Sequence, residues 1–340
     1  MGATDRLRAA LAAQPRVSLA HLPTPVEPLP RLSAALGGPR ILVKRDDCTG
    51  LGLGGNKTRK LEFLMAEAQQ QGADTVITTG GIQSNHVRQT AAAAAKLGLA
   101  CELVLTRVVP WGGDDYERSG NIQLDRLFGA TVHLHDGGTD RNTAMAALAT
   151  ALKADGKRPF TIPTGGSNVT GALGYAAAAL EVFEQLHTLG VKPKAILHAC
   201  SSGGTQGGLS AGLAAIDPAL RVVGVDVDAN PESVEGTVRQ LAEEVWALLN
   251  LDGALPPDCI TLESGYAGEA YGLPTTAMRE AVNLCAELEG LLLDPVYSGK
   301  AMAGLIGMIR ANLFRKDDTV VFLHTGGTPA LFPYRDALES

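Results

Sequence analysis

The chain has 340 residues, 45% of them apolar (AVILMFWYC) and 19% charged, enough for a sizeable core in one large or two smaller domains and far from a disordered composition. Lys+Arg 29 against Asp+Glu 36 leaves a net charge of −7 with no basic tract, which argues against a nucleic-acid or anionic-membrane partner.

From Lys57 the hydrophobic pattern alternates between two periods. Lys57 to Gln71 reads as a helix with Leu61, Leu64, Met65 and Ala68 on one face, followed by a β-branched strand at Thr75 to Thr79. Asn85–Leu97 is helical, with small residues at Ala91–Ala95 suited to close packing; Glu102–Thr106 is a strand, Asn121–Phe128 a helix and Thr131–His135 a strand. Thr143–Ala154 (helix), Phe160–Pro163 (extended), Leu173–Leu186 (helix), Ala195–Ala199 (strand), Gln206–Ala215 (helix) and Arg221–Val227 (strand) continue the alternation. Strands separated by helices of this length imply crossovers and parallel sheets, so the expected class is α/β. Glycine junctions at Gly54-Gly55 and Gly165-Gly166 bracket a smaller α/β domain, residues 57–165, inserted into a larger one formed by 1–56 and 166–340, with the active site between them.

The opening MGATDRLRAALAAQ carries charges inside its short apolar stretch and has no signal-peptide hydrophobic region; the Ala-rich runs are too short to span a bilayer. Cys48, Cys101, Cys200, Cys259 and Cys285 are odd in number and lack metal-ligand spacing. They read as buried thiols of a cytoplasmic protein with no metal.

Three glycine-rich stretches each open a helix. In Cys200-Ser-Ser-Gly-Gly-Thr-Gln-Gly-Gly208 the N–H groups can converge on one point at a helix N-terminus, which makes an anion cradle. No Gly-Lys-Ser/Thr follows, so it is not a P-loop, and it is not GxGxxG. In Gly54-Gly-Asn-Lys-Thr-Arg-Lys60 a lysine in the first turn has the wrong sign for the helix dipole. The dipole, with Arg59 and Lys60 as a solvated basic helix start, should push Lys57 towards a neutral amine able to form a Schiff base. In Thr78-Thr-Gly-Gly-Ile-Gln-Ser-Asn-His86 the exposed N–H groups and the Ser84 hydroxyl suit a carboxylate, although Ser84 also reads as a simple N-cap. Asp294-Pro-Val-Tyr-Ser-Gly-Lys300 places Tyr297 and Ser298 at a strand-to-helix turn. Val320 to His324 is a buried strand whose carboxyl end carries His324, left without a role, and Thr325. Tyr271 sits in a glycine-punctuated loop. One ligand with an aldehyde, a phosphate and an aromatic ring would satisfy these features together: pyridoxal 5′-phosphate.

GGNKTRKLEFL, TTGGIQSNHVRQTAA, LDPVYSGKAMAGL and FLHTGGTPALF resemble the pyridoxal-phosphate enzymes that comprise D-cysteine desulfhydrase and 1-aminocyclopropane-1-carboxylate deaminase. The resemblance runs from about His21 to Tyr334 and implies the fold of the tryptophan synthase β-subunit (fold type II), usually as a homodimer. It also implies Lys57 as the Schiff-base lysine, Asn85 on the cofactor's phenolic oxygen, and Ser202-Gly203-Gly204-Thr205 around its phosphate. Ser84, with the N–H groups of Asn85 and His86, would hold the substrate carboxylate; Tyr297 and Tyr271 would face the substrate, with Ser298 beside them, and Thr325 would face the pyridine nitrogen. The deaminase has glutamate where this chain has Ser298, and leucine where it has Thr325. A neutral hydroxyl near the pyridine nitrogen gives a weaker electron sink, sufficient for a good leaving group on the β-carbon but not for opening a cyclopropane. The expected reaction is therefore elimination from D-cysteine to pyruvate, hydrogen sulfide and ammonia. L-Cysteate sulfo-lyase, with sulfite as leaving group, is the close alternative, and a catalytically silent ligand-binding protein the alternative of another class.

Overall fold

The β-branched and apolar runs become the middles of two sheets. The computed structural model describes residues 2–339. One sheet pairs β1 (Val26–Pro28), β2 (Arg40–Arg45), β7 (Ala195–Cys200), β8 (Arg221–Asp226), β9 (Ile260–Glu263) and β10 (Thr319–His324) in the order β1-β2-β10-β7-β8-β9. Only its edge strand β1 is antiparallel. The other sheet pairs β3 (Thr75–Gly81), β4 (Ala100–Thr106), β5 (Thr131–His135) and β6 (Pro159–Ile162) in the order β5-β4-β3-β6, all parallel. Every residue of β3 is buried, as a strand flanked on both edges and covered by helices requires. The strands of this second sheet all fall between β2 and β7 in the chain. Ala330, Tyr334 and Ala337 from the carboxyl-terminal end join the core that holds Val87, Leu103 and Leu105 of the four-stranded sheet's layer.

Local chemistry sets the helix ends near the site. Ser84 caps the helix Asn85–Leu97 by accepting the Val87 N–H at 3.3 Å, and Gly98, at φ 71°, ends it in the left-handed region. The helix Lys57–Gln70 packs against Asn85–Leu97 and against the long helix Val169–Thr188. Gly174 allows the second approach, because a Cβ there would lie 2.4 Å from the Arg59 carbonyl oxygen.

Three expectations need correcting. Arg59 and Lys60 do not form a solvated helix start: both are fully buried. Arg59 spans Asp46 (2.8 Å from Nε and from Nη2) and Glu181 (3.0 and 2.8 Å), with Thr24, Tyr175 and Lys44 completing the network. The helix lies between two layers, so a face read as outward meets the neighbouring helix instead. No strand precedes Asp294: both edges of β10 are taken by β2 and β7, and residues 290–297 run irregularly into the helix Ser298–Arg310. Among the cysteines Cys101, Cys200 and Cys285 are buried, whereas Cys48 is exposed and Cys259 only half-buried.

Candidate active site

The carboxyl ends of strands from both sheets open onto one cavity of about 410 Å3, within the usual size range for a small-molecule site. β3 delivers Gly80, Gly81, Ser84 and Asn85; β7 delivers Ser202, Gly203 and Thr205; β10 delivers Thr325; Lys57, Tyr271 and Tyr297 complete the wall.

Lys57 begins its helix after Gly54 (φ 67°) and Gly55 (φ 124°), positions that exclude a side chain: a Cβ at Gly54 would sit 1.9 Å from the Asp47 carbonyl oxygen. Asn56 then ties this start to both neighbouring loops, its N–H donating to the Thr325 carbonyl (2.9 Å) and its Nδ2 to Thr205 Oγ1 (3.1 Å). The lysine lines the cavity, and burial lowers its amine to about 8. The direction matches the sequence expectation, but the cause is desolvation rather than repulsion from Arg59, whose charge is neutralised by Asp46 and Glu181.

Lys60 lies one turn on, its amine donating to the Gly165 carbonyl and Ser167 Oγ, each at 3.1 Å. Burial and the neighbouring Lys57 push it well below its ordinary value. Ser167 Oγ in turn donates to Ser202 Oγ at 2.8 Å. The helix Gly204–Ile216 starts at Gly203 (φ 79°), which has no side chain to cap it; Ser167 Oγ accepts the Gly204 N–H at 3.3 Å, and Ser202, Gly203 and Thr205 line the cavity. Gly204 stands behind this wall: its N–H returns to the Ser202 carbonyl at 3.0 Å, and a Cβ there would meet Lys60 Nζ at 2.9 Å.

On the opposite wall Ser84 both caps its helix and faces the cavity, and Gly80 must lack a side chain because a Cβ would lie 2.7 Å from Ser84 Oγ. The His86 ring turns away. Its Nε2 meets Thr78 Oγ1 at 2.8 Å, and since that hydroxyl gives its proton to the Ile162 carbonyl, Nε2 is the donor. Burial lowers His86 well below its usual range. Tyr271 and Tyr297 meet hydroxyl to hydroxyl, with ring centroids 5.9 Å apart at 63°. Burial raises Tyr271 to about 12 and Tyr297 further, so both phenols stay protonated at neutral pH. His324 accepts the Gly326 N–H on Nδ1 and contacts the Leu292 carbonyl through Nε2.

Ser298 is not part of the cavity wall, contrary to the sequence expectation. Its hydroxyl donates to Asp294 Oδ1 at 2.6 Å, and the same carboxylate collects the N–H groups of Val296, Tyr297 and Ser298. That knot presents Tyr297 to the cavity and turns Ser298 inward.

The cavity also holds residues the motifs did not single out: Asn56, Arg141 and Asp228. Asp228 follows the carboxyl end of β8, a position that α/β topology marks for ligands. Arg141 opens the helix Arg141–Ala154, where a cation opposes the dipole; that misfit is the signal that could have found it.

Two buried amines with no acidic partner within 4 Å among the described residues, beside a helix N-terminus opened by glycine and a loop where glycine is required, suit a ligand that brings an aldehyde and an anion. A family model described as "pyridoxal-phosphate dependent enzyme" matches residues 17–326. The chain belongs to the pyridoxal-phosphate-dependent enzymes. It is 46% identical over 328 residues to a D-cysteine desulfhydrase of Serratia proteamaculans (strain 568), covering 96% of this chain and 98% of that one. A D-cysteine desulfhydrase of Salmonella typhi is also 46% identical, covering 94% and 96% of the two chains. A crystal structure described as an ACC deaminase homologue superposes with a TM-score of 0.89 at 37% identity, covering 98% of each chain. The processed form of threonine deaminase isoform 2 from Solanum lycopersicum (TM-score 0.69, 17% identity, 99% and 87% covered) shares the fold. The architecture is that of the fold type II members of this family, and the protein is an enzyme that depends on pyridoxal phosphate.

Proposed function

We propose that the enzyme catalyses α,β-elimination from D-cysteine, converting D-cysteine and water to pyruvate, hydrogen sulfide and ammonia. The observation that carries this reading is the Lys57 amine, lowered to about 8 and facing the same cavity as the glycine-rich 203–205 turn. The names of the relatives that are 46% identical over nearly the whole chain support it. In this reading Ser202, Gly203 and Thr205 hold the cofactor phosphate, with Gly204 shaping the loop from behind and Lys60 bracing it through Ser167. Asn85 faces the phenolic oxygen and Thr325 the ring nitrogen. Ser84, with the N–H groups of Asn85 and His86, grips the substrate carboxylate.

Bound there, the cofactor supplies an aldehyde for the amine and a ring that withdraws electrons from the substrate α-carbon. Lys57 Nζ, neutral above about pH 8, takes the α-proton. The Cα–H electron pair forms the new Cα–Cβ double bond while the C–S pair leaves with sulfur. Tyr297, held protonated by burial and steadied by Tyr271, gives its proton to that sulfur. At Thr325 a hydroxyl stands where an acid would hold a proton on the ring nitrogen, which disfavours cyclopropane opening.

A second reading, elimination of sulfite from L-cysteate, is favoured by one observation: Arg141 lines the cavity, a cation that a bound sulfonate would attract. Incubating the purified protein and pyridoxal phosphate with D-cysteine, L-cysteine and L-cysteate, and assaying pyruvate, sulfide and sulfite, separates the readings. Sulfide and pyruvate from D-cysteine are expected; sulfite from L-cysteate alone would replace the first reading by the second, and no product from any of them would end both. On the family likeness we also read the enzyme as a cytoplasmic homodimer; no described helix is long and apolar enough to cross a membrane.

A further inference from the structure

A primary amide offers a donor on one side and an acceptor on the other, so which side Asn85 turns to the cavity decides what it can recognise. A hydrogen-bond relay outside the cavity wall makes that choice. Asn121 Nδ2 lies 3.0 Å from the Gln83 backbone carbonyl, an atom that can only accept. That nitrogen is therefore the NH2 group, and the Asn85 side-chain atom 3.0 Å from it must be Oδ1. The Asn85 NH2 is left on the other side, with no protein partner among the described residues, in a side chain that lines the cavity.

Asn121 has little freedom to turn. Its own N–H donates to Gln83 Oε1 at 2.9 Å. Gln83 is oriented in turn by its Nε2, which donates to the Tyr116 and Ser119 carbonyls at 2.6 and 3.0 Å. Gly120 completes the knot at φ 63°, where a Cβ would stand 2.6 Å from Gln83 Oε1. Asn121 is wholly buried and Gln83 nearly so, which makes each of these polar pairings costly to break.

We infer that Asn121 is a positioning residue: through Gln83 and the Asn85 oxygen it holds the Asn85 amide with its NH2 towards the cavity, so that the site presents a donor, not an acceptor, to the cofactor's phenolic oxygen. The inference rests on the placement of Asn85 in the proposed function. A donor on that oxygen draws off negative charge that would otherwise help retain the neighbouring proton on the lysine linkage. Losing the donor raises the pH at which the holoenzyme's visible band titrates.

The test is that titration on purified holoenzyme for the wild type, Asn121→Asp, Asn121→Ala and Asn85→Ala, with thermal melting alongside. A carboxylate at 121 attracts the Asn85 NH2 and turns its oxygen to the cavity; alanine only releases the amide. The midpoint should rise by about one pH unit in Asn121→Asp, and less in Asn121→Ala, in the direction set by Asn85→Ala. A merely structural role would lower the melting temperature and leave the midpoint in place. If Asn85→Ala shifts the midpoint while the Asn121 variants keep the wild-type value, the relay is wrong. If Asn85→Ala itself shifts nothing, Asn85 does not face that oxygen, and its proposed placement falls along with the relay. Should Asn121→Asp fail to fold, Asn121→Ala decides alone: an unmoved midpoint overturns the inference and a raised one upholds it.

Discussion

At the residue scale the chemistry rests on two lysines one helical turn apart, and burial separates their roles. Lys57 opens onto the cavity, whereas Lys60 is turned into the protein by Gly165 and Ser167. Because the folded Lys57 amine sits near 8 rather than at its ordinary 10.5, its neutral form grows as pH rises through 8. Stopped-flow capture of pyridoxal phosphate by the apoprotein should therefore accelerate up to about pH 8 and then level off; a rate still climbing steeply at pH 10 would mean an amine with an ordinary value. Tyr297→Phe removes the proton proposed for the departing sulfur and should lower kcat for D-cysteine about a hundredfold, with cofactor absorbance retained. Ser298→Ala should behave differently. It removes a hydroxyl from Asp294 and should cost about 1 kcal/mol in denaturant unfolding while changing KM little, since Ser298 does not reach the cavity. A large KM effect without lost stability would restore the contact expected from the sequence.

At the element scale the Lys57 helix is anchored by the Asp46–Arg59–Glu181 network beneath it. Replacing Arg59 by Met leaves the Asp46 carboxylate buried without its partner and should cost about 3–5 kcal/mol in urea unfolding at neutral pH. Arg59 and Lys44 hold Asp46 below the usual carboxylate range against its burial. The wild-type pair therefore contributes above an unfolded carboxyl pKa of about 4 and is lost as pH falls through the lower folded value. In the variant Asp46 is protonated at higher pH, so the difference between the two proteins should start to narrow above about pH 4 and go on narrowing as pH falls through the lowered wild-type value; a gap independent of pH would place the loss in packing alone. Between Lys57 and Val227 the helix and strand positions were largely legible in the sequence: Asn85–Leu97 and Thr131–His135 have the expected limits and the others read there differ by a few residues at their ends, whereas β1, β2, β9 and the helices Pro231–Leu248 and Thr276–Glu289 were not read. What the pattern hid were charges. Arg59 and Lys60 read as solvent-facing because periodicity reports polarity, not the acidic residues 13 and 122 positions from Arg59 that neutralise it, nor the Gly165 carbonyl and Ser167 hydroxyl that bind Lys60. Ser298 was misplaced for a related reason: the capping role of Asp294 depends on a turn whose geometry no spacing announces.

At the scale of the whole molecule the site exists because two sheets present their carboxyl ends to one another, and close helix contacts hold the larger layer rigid. A Cβ at Gly208 would lie 2.0 Å from the Ala172 carbonyl oxygen, and one at Gly212 would lie 2.6 Å from Ala179 Cβ. Gly208→Ala should therefore part the helices Gly204–Ile216 and Val169–Thr188, tilt the 203–205 turn and weaken pyridoxal-phosphate binding in equilibrium dialysis; unchanged affinity would show that the loop is positioned independently of the helix behind it. We propose that the division lies near residues 57 and 165, with the addition that residues 330–337 pack on the smaller unit. The catalytic motifs were readable at the strand ends, while Arg141 and Asp228 join them only through tertiary placement. The most direct test of the account distinguishes its two buried amines. Borohydride reduction of the holoenzyme followed by peptide mass mapping should put the pyridoxyl label on Lys57, and a label on Lys60 or on any other lysine would contradict it.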